Sequence, residues 1–351
     1  MDSEARVKSN KLNTNSLGIW RIVFTLVIML FHLADGSKLY EEYPMFHYRW
    51  YIAVEFFFVL SGYLMMQHAR CHPNESAWQY IKGRVLRLYP EYIVALLIMV
   101  LLKCGGSPVK YVKLLVANWL EVIMLQSVGT NEFPYLNNPT WYVSALLIGS
   151  YFIYYLIRNY EKIYLQFIGP LVSVIIFSFM YRQYGSLQPF YSTDGIWLNQ
   201  GVMRAFLGLT VGIYVYIAAD ILAAKRKPKY DWILMLAEIG IFGFVLVFSL
   251  FDDRTQYDFM FLILFAVAIG LASSDRLLGK ISASKPVSLL SELTYSMYLL
   301  HFAVISFTYK YFDHTHWHWW HIPVYVVITL VLALPIHLLV TKCVNKVKVE
   351  K

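Results

Sequence analysis

At 351 residues, 58% hydrophobic, 17% aromatic and only 15% charged, the chain is excluded from the ordinary soluble enzymes. Mean hydropathy is +0.51 and apolar runs recur from end to end, which reads as an all-α polytopic membrane protein with 1–351 as a single membrane domain. The net charge of +8 requires no nucleic-acid partner, because a multi-span protein collects Lys and Arg in its cytoplasmic loops.

The first apolar stretch, Leu17–Asp35, follows a basic leader (Arg6, Lys8, Lys11) within a segment 1–15 assigned to the cytoplasm. No small-residue cleavage site follows it and Arg21 interrupts it, so it reads as a retained helix rather than a signal peptide. An ionised group at bilayer depth costs about 2.5–3.5 kcal/mol on insertion scales, so Arg21 and His32 mark this helix. Their separation is about three helical turns, a rise of roughly 16 Å, with both side chains on one face. By position alone, Arg21 is equally a cation snorkelling to the inner surface and His32 a polar residue satisfied between helices.

Ten spans are expected, near 16–35, 50–67, 90–104, 139–157, 163–181, 201–221, 231–251, 257–274, 291–311 and 321–343. Lys110–Ser127 is amphiphilic but interrupted by Lys113, Asn118 and Glu121, and reads as one extra re-entrant or surface helix. The amino terminus, Ala69–Tyr89, Arg158–Lys162, Lys225–Lys229, Asp275–Lys285 and the tail 344–351 are basic, whereas the intervening loops are aromatic. Both termini are therefore expected in the cytoplasm.

Span two reads VEFFFVLSGYL, with Glu55 either an ion-pair partner, of Arg204 for instance, or a catalytic acid. GRVLRLYPEY sets Arg84 and Arg87 three apart, on one face of a helix that Pro90 is expected to restart. Such inner-face arginines suit the phosphates of a donor or those of lipid headgroups. Trp141 opens WYVSALL, and TYSMYLLH sets His301 inside span nine. The outer loop FDHTHWHWWH (Phe312–His321) matches no common zinc spacing, and Cys71, Cys104 and Cys343 are scattered, so no metal is expected. Trp317, Trp319 and Trp320 fit an interfacial aromatic belt, or stack on an acceptor sugar together with Arg182–Gln200.

Arg21 with His32, EFFFVLSGYL, RVLRLYP, WYVSAL and YSMYLLH, in this order, resemble the integral-membrane acyltransferase family 3 from span one to span nine. The resemblance implies a ten-helix fold that moves an acyl group, commonly acetyl from acetyl-CoA, onto a hydroxyl of a cell-surface glycan or glycolipid. It carries catalytic importance onto Arg21 and His32. It also implies a bacterial-type cytoplasmic membrane. Two departures stand out: Glu55 occupies a position where many members carry Asp, and Leu146 one where many carry an acid.

The candidate catalytic residues are thus His32, Arg21 and Glu55. Arg21, Arg84 and Arg87 are candidates for the acyl-CoA donor, and Trp141, Tyr142, Tyr298 and His301 for substrate. His32 serves as base toward the acceptor hydroxyl or as covalent carrier of the acyl group, with Asp35 one turn away to fix its tautomer or simply to end the helix. Two other classes remain: a transporter or lipid flippase using the same intramembrane Arg, His and Glu, and a non-catalytic membrane partner in glycan assembly.

Overall fold

The computed structural model describes residues 12, 14–36, 43, 45, 49–128, 136–189, 199–223, 225, 227–251, 254–273, 277–311 and 320–349. The leader's Arg6, Lys8 and Lys11, and most of the two aromatic loops expected on the outer side (190–198 and 312–319), lie outside these residues. The helices are α1 (Leu17–Gly36), α2 (Ala53–Cys71), α3 (Ala77–Cys104), α4 (Pro108–Ala117), α5 (Trp119–Val122), α6 (Trp141–Ile163), α7 (Gly169–Tyr184), α8 (Gln200–Ala223), α9 (Asp231–Phe251), α10 (Asp258–Ala272), α11 (Leu277–Ser282), α12 (Lys285–Tyr311) and α13 (His321–Val349). Among the described residues there is no strand.

Among the described residues, nine helical stretches are long and apolar enough to cross a membrane, and one of them, Asn138–Tyr184, is 47 residues long. That stretch doubles back. Tyr160 leaves helical geometry (φ −142°, ψ 39°), and a π-helical segment Tyr164–Ile168 follows before α7. Trp141 at the start of α6 lies against Gly201, while Tyr184 at the end of α7 accepts a 2.6 Å hydrogen bond from Gln200. Between them, Tyr164 meets Thr210 at 2.7 Å and the Tyr214 hydroxyl donates to the Leu165 carbonyl. Both arms thus run along α8 in opposite directions, and the stretch supplies two passes where length alone suggests one.

Helix α3 departs from expectation. It begins at Ser76, whose side chain accepts from the Gln79 backbone N–H (3.2 Å) while Gln79 accepts from the Ser76 N–H (2.8 Å). It then runs unbroken through Pro90 to a left-handed cap at Gly105. Pro90 does not restart the helix, so Arg84 and Arg87 ride on the spanning helix itself. The chain between α2 and α3 is only a short turn. The amphiphilic Lys110–Ser127 becomes α4, α5 and a 3-10 turn, with Glu121 buried and accepting from the Leu136 and Asn137 backbone N–H groups at 3.0 and 2.7 Å.

The tightest seam joins α2 to α8. A Cβ on Gly62 would sit 2.0 Å from the Leu209 carbonyl oxygen, and one on Gly212 would sit 2.0 Å from that of Val59. Only glycine permits this approach, which is how helices associate in a solvent as apolar as their own side chains. Helices α1, α2, α3, α6, α12 and α13 surround the interior space in which the polar groups gather.

Candidate functional site

On α1, Arg21, Thr25 and Ile28 line a cavity of about 380 Å³. Their spacing defines one helix face, and His32 is the next residue along it, one turn beyond Ile28. Arg84 and Arg87 of α3 line the same cavity, as do Tyr142 of α6 and Tyr298 of α12. A second cavity of about 670 Å³ shares Ser61, Leu64, Arg84 and Arg87 with the first. It reaches the end of the bundle that carries the α2–α3 turn, through His68, Cys71, His72 and Glu75. The arginines therefore stand where an entrance narrows into an interior chamber.

Their surroundings leave charge to spare. The Arg84 Nη1 donates to the Tyr80 hydroxyl at 2.7 Å, and Tyr80 in turn stacks on Tyr154 with ring centroids 4.0 Å apart. The Arg84 Nε is buried with no hydrogen-bond partner among the described residues. None of Arg21, Arg84 and Arg87 forms an ion pair with a described residue. Three guanidiniums facing one chamber suit a polyanion, because a planar fork grips phosphate bidentately.

The chamber also holds polar groups that reading the sequence passed over. Glu91 accepts from Ser296 at 2.5 Å and pairs with the His337 Nδ1 at 2.8 Å, joining α3, α12 and α13 at the chamber wall. Glu292 and Tyr295 line it as well. The signal was present: Glu91 and His337 are ionisable residues inside apolar spans.

Beyond Tyr298 stand the two histidines. The Tyr298 hydroxyl donates to the Pro139 carbonyl, and the Tyr298 carbonyl accepts from the His301 Nδ1 at 2.5 Å. The rings of His32 and His301 face each other with centroids 5.2 Å apart and planes 36° apart. Sequence reading placed His301 with the substrate-binding residues, and the fold sets it directly against His32. Asp35 is exposed at the end of α1.

Glu55 and Trp141 lie elsewhere. The Arg204 Nε donates to Glu55 at 2.7 Å, with both side chains buried, and the Arg204 guanidinium sits 5.0 Å from the centre of the Trp141 ring. Neither Glu55 nor Trp141 lines the chamber. Among the described residues, no group of three or more His, Cys, Asp or Glu is placed to hold a metal ion.

A family model described as an acyltransferase domain matches residues 14–338. The chain is 24% identical over 318 residues to the O-acetyltransferase OatA of Staphylococcus aureus strains NCTC 8325, COL and MRSA252, covering 79% of this chain and 49% of each relative. It thus spans about half the length of the curated relatives it matches. No solved structure matches it. The matched region takes in every candidate residue from Arg21 to His337, and on that breadth the chain belongs to acyltransferase family 3, as a multi-pass membrane protein.

Proposed function

We propose that the protein is a membrane-embedded O-acyltransferase that moves an acyl group, acetyl from acetyl-CoA, onto a hydroxyl of a cell-surface glycan or glycolipid. The observation that carries this reading is the chamber itself, which begins among Arg21, Arg84 and Arg87 and ends one turn short of His32 and His301. A coenzyme A thioester has this shape: a phosphorylated head, a long thin arm and a reactive group at the tip. The head would rest on the arginines. The arm would fill the chamber past Tyr142 and Tyr298. The rise of roughly 16 Å from Arg21 to His32 separates head from tip.

Transfer from a thioester to an alcohol needs a group to accept the hydroxyl proton, and an imidazole does so near neutral pH. The apolar wall around the tip excludes water, which favours the alcohol over hydrolysis and strengthens each local dipole. In this reading the basic end of the bundle faces the cytoplasm of a bacterial-type inner membrane, and so do both termini. The glycan meets the acyl group from the other side, and neither substrate has to cross. The curated relatives' name supports acetyl as the group carried.

The test uses vesicles of known sidedness containing the purified chain. Acetyl-CoA should release its thiol only when supplied on the face bearing the α2–α3 turn, and a membrane-impermeant glycan should gain acetyl only from the opposite face. Transport of acetyl-CoA or of a lipid-linked glycan without thiol release would replace this reading with a transporter. Thiol release and glycan acetylation from one face alone would refute the through-membrane arrangement.

A further inference from the structure

We propose that the two facing histidines divide the chemistry: His32 takes the acyl group covalently, and the Nε2 of His301 takes the proton of the acceptor hydroxyl. The proposal rests on the acyl-transfer reading above and assigns each half of it to one ring.

The first observation fixes the tautomer of His301. Its Nδ1 lies 2.5 Å from the Tyr298 carbonyl, which can only accept. The proton must therefore sit on Nδ1, and the neutral ring carries its lone pair on Nε2. The second is that this Nε2 is buried with no hydrogen-bond partner among the described residues. The same is true of the Nδ1 of His32. Leaving a buried polar atom without a partner is costly, and here two occur on rings 5.2 Å apart, one turn beyond the residues that close one chamber. Groups kept unsatisfied in this way are ready to meet a substrate.

The third observation is the rigidity of one ring beside the other. Tyr298, whose carbonyl orients His301, is itself tied by its hydroxyl to the Pro139 carbonyl, and the Asn137 side chain donates to the neighbouring Leu299 carbonyl at 3.0 Å. His301 is thus held as a base with a fixed lone pair.

The steps balance. A lone pair of His32 attacks the thioester carbon, the N–C bond forms, the C–S bond breaks, and the proton of the other His32 nitrogen goes to the departing sulfur. The acceptor oxygen then attacks the acyl carbon while its proton passes to the His301 Nε2. The O–C bond forms, the C–N bond breaks, and the proton returns from His301 to the leaving nitrogen of His32. The ester and the free thiol are the only products.

The experiment compares the full chain, purified in detergent, with His301→Asn and His32→Ala, using acetyl-CoA as donor and a short soluble oligosaccharide to supply the hydroxyl. Asparagine keeps an N–H for the Tyr298 carbonyl and deletes only the base. His301→Asn should release one equivalent of thiol in a burst and then turn over about 10²–10⁴-fold more slowly than the wild type, the usual worth of a general base. Hydroxylamine, which needs no base, should restore its turnover. His32→Ala should give no burst. Wild type mixed with acetyl-CoA and sprayed within seconds from neutral buffer should carry acetyl on His32 by top-down mass spectrometry, a measurement that stands even if a variant fails to fold. Acetyl on His301, a missing burst in His301→Asn, or unchanged turnover in that variant would overturn the division of labour. Wild type that releases no thiol from acetyl-CoA would overturn the donor assignment, and this division with it.

Discussion

Two sets of arginines, one fully buried and one lining a chamber, divide the molecule. Arg204 and Arg49 are each matched to a carboxylate: Arg204 to Glu55 at 2.7 Å, and Arg49 to Asp258 at 3.6 Å. Asp258 is also fed by the Tyr51 hydroxyl, the Ser186 hydroxyl and the Leu187 N–H, at 2.8, 3.0 and 2.8 Å. These pairs line neither described cavity. Arg21, Arg84 and Arg87 face a chamber and have no ion-pair partner among the described residues. A matched pair spends its charge on holding helices together. An unmatched cluster that faces a partly open chamber keeps its charge for a ligand. The same residue type is thus structural in one half of the bundle and open to a ligand in the other.

That contrast breaks most sharply at the matched pairs. Glu55→Leu leaves Arg204 buried and uncompensated, and should cost about 3–5 kcal/mol of stability, read as a fall in the detergent melting temperature. Adding Arg204→Met should recover most of it. A fully stable Glu55→Leu protein would show that Glu55 is free for chemistry rather than committed to the seam.

The same seam is tested next by Gly212→Ala, which brings a methyl group within 2.0 Å of the Val59 carbonyl oxygen. About 1–3 kcal/mol should be lost as α2 and α8 are pushed apart. If the seam carries no catalytic group, the surviving folded fraction should keep its KM for acetyl-CoA.

On the open side, changing Arg84 and Arg87 together to Gln should leave the melting temperature nearly unchanged and raise the KM for acetyl-CoA about tenfold, the equivalent of 1.4 kcal/mol. An unaltered donor KM would return these arginines to lipid headgroups. Smallest is Arg21→Lys, which keeps the charge and loses the planar fork. A few-fold rise in donor KM is expected where two phosphate oxygens are gripped at once, and none where a point charge suffices.

The sequence by itself determined the class of fold. Apolar runs of span length can only be helices where no water satisfies the backbone, so a ten-pass bundle follows from hydropathy once the 47-residue stretch is split at its reversal. It also put Arg21 and His32 on one face of α1, because 3.6 residues per turn leaves little choice. Likewise, Glu55 and Arg204 were visible as charges too costly to bury singly. Sequence did not decide what lies across from each group. By sequence Pro90 implies a restart, because a missing N–H usually ends a helix in water, whereas α3 passes through it inside a packed bundle. Glu91 and His337 stand 246 positions apart and meet only because α3 and α13 flank one chamber. His301 faces His32 for the same reason: local periodicity fixes the direction of a side chain around its own helix, but the partner it meets is set by how helices pack, which is a property of the whole bundle.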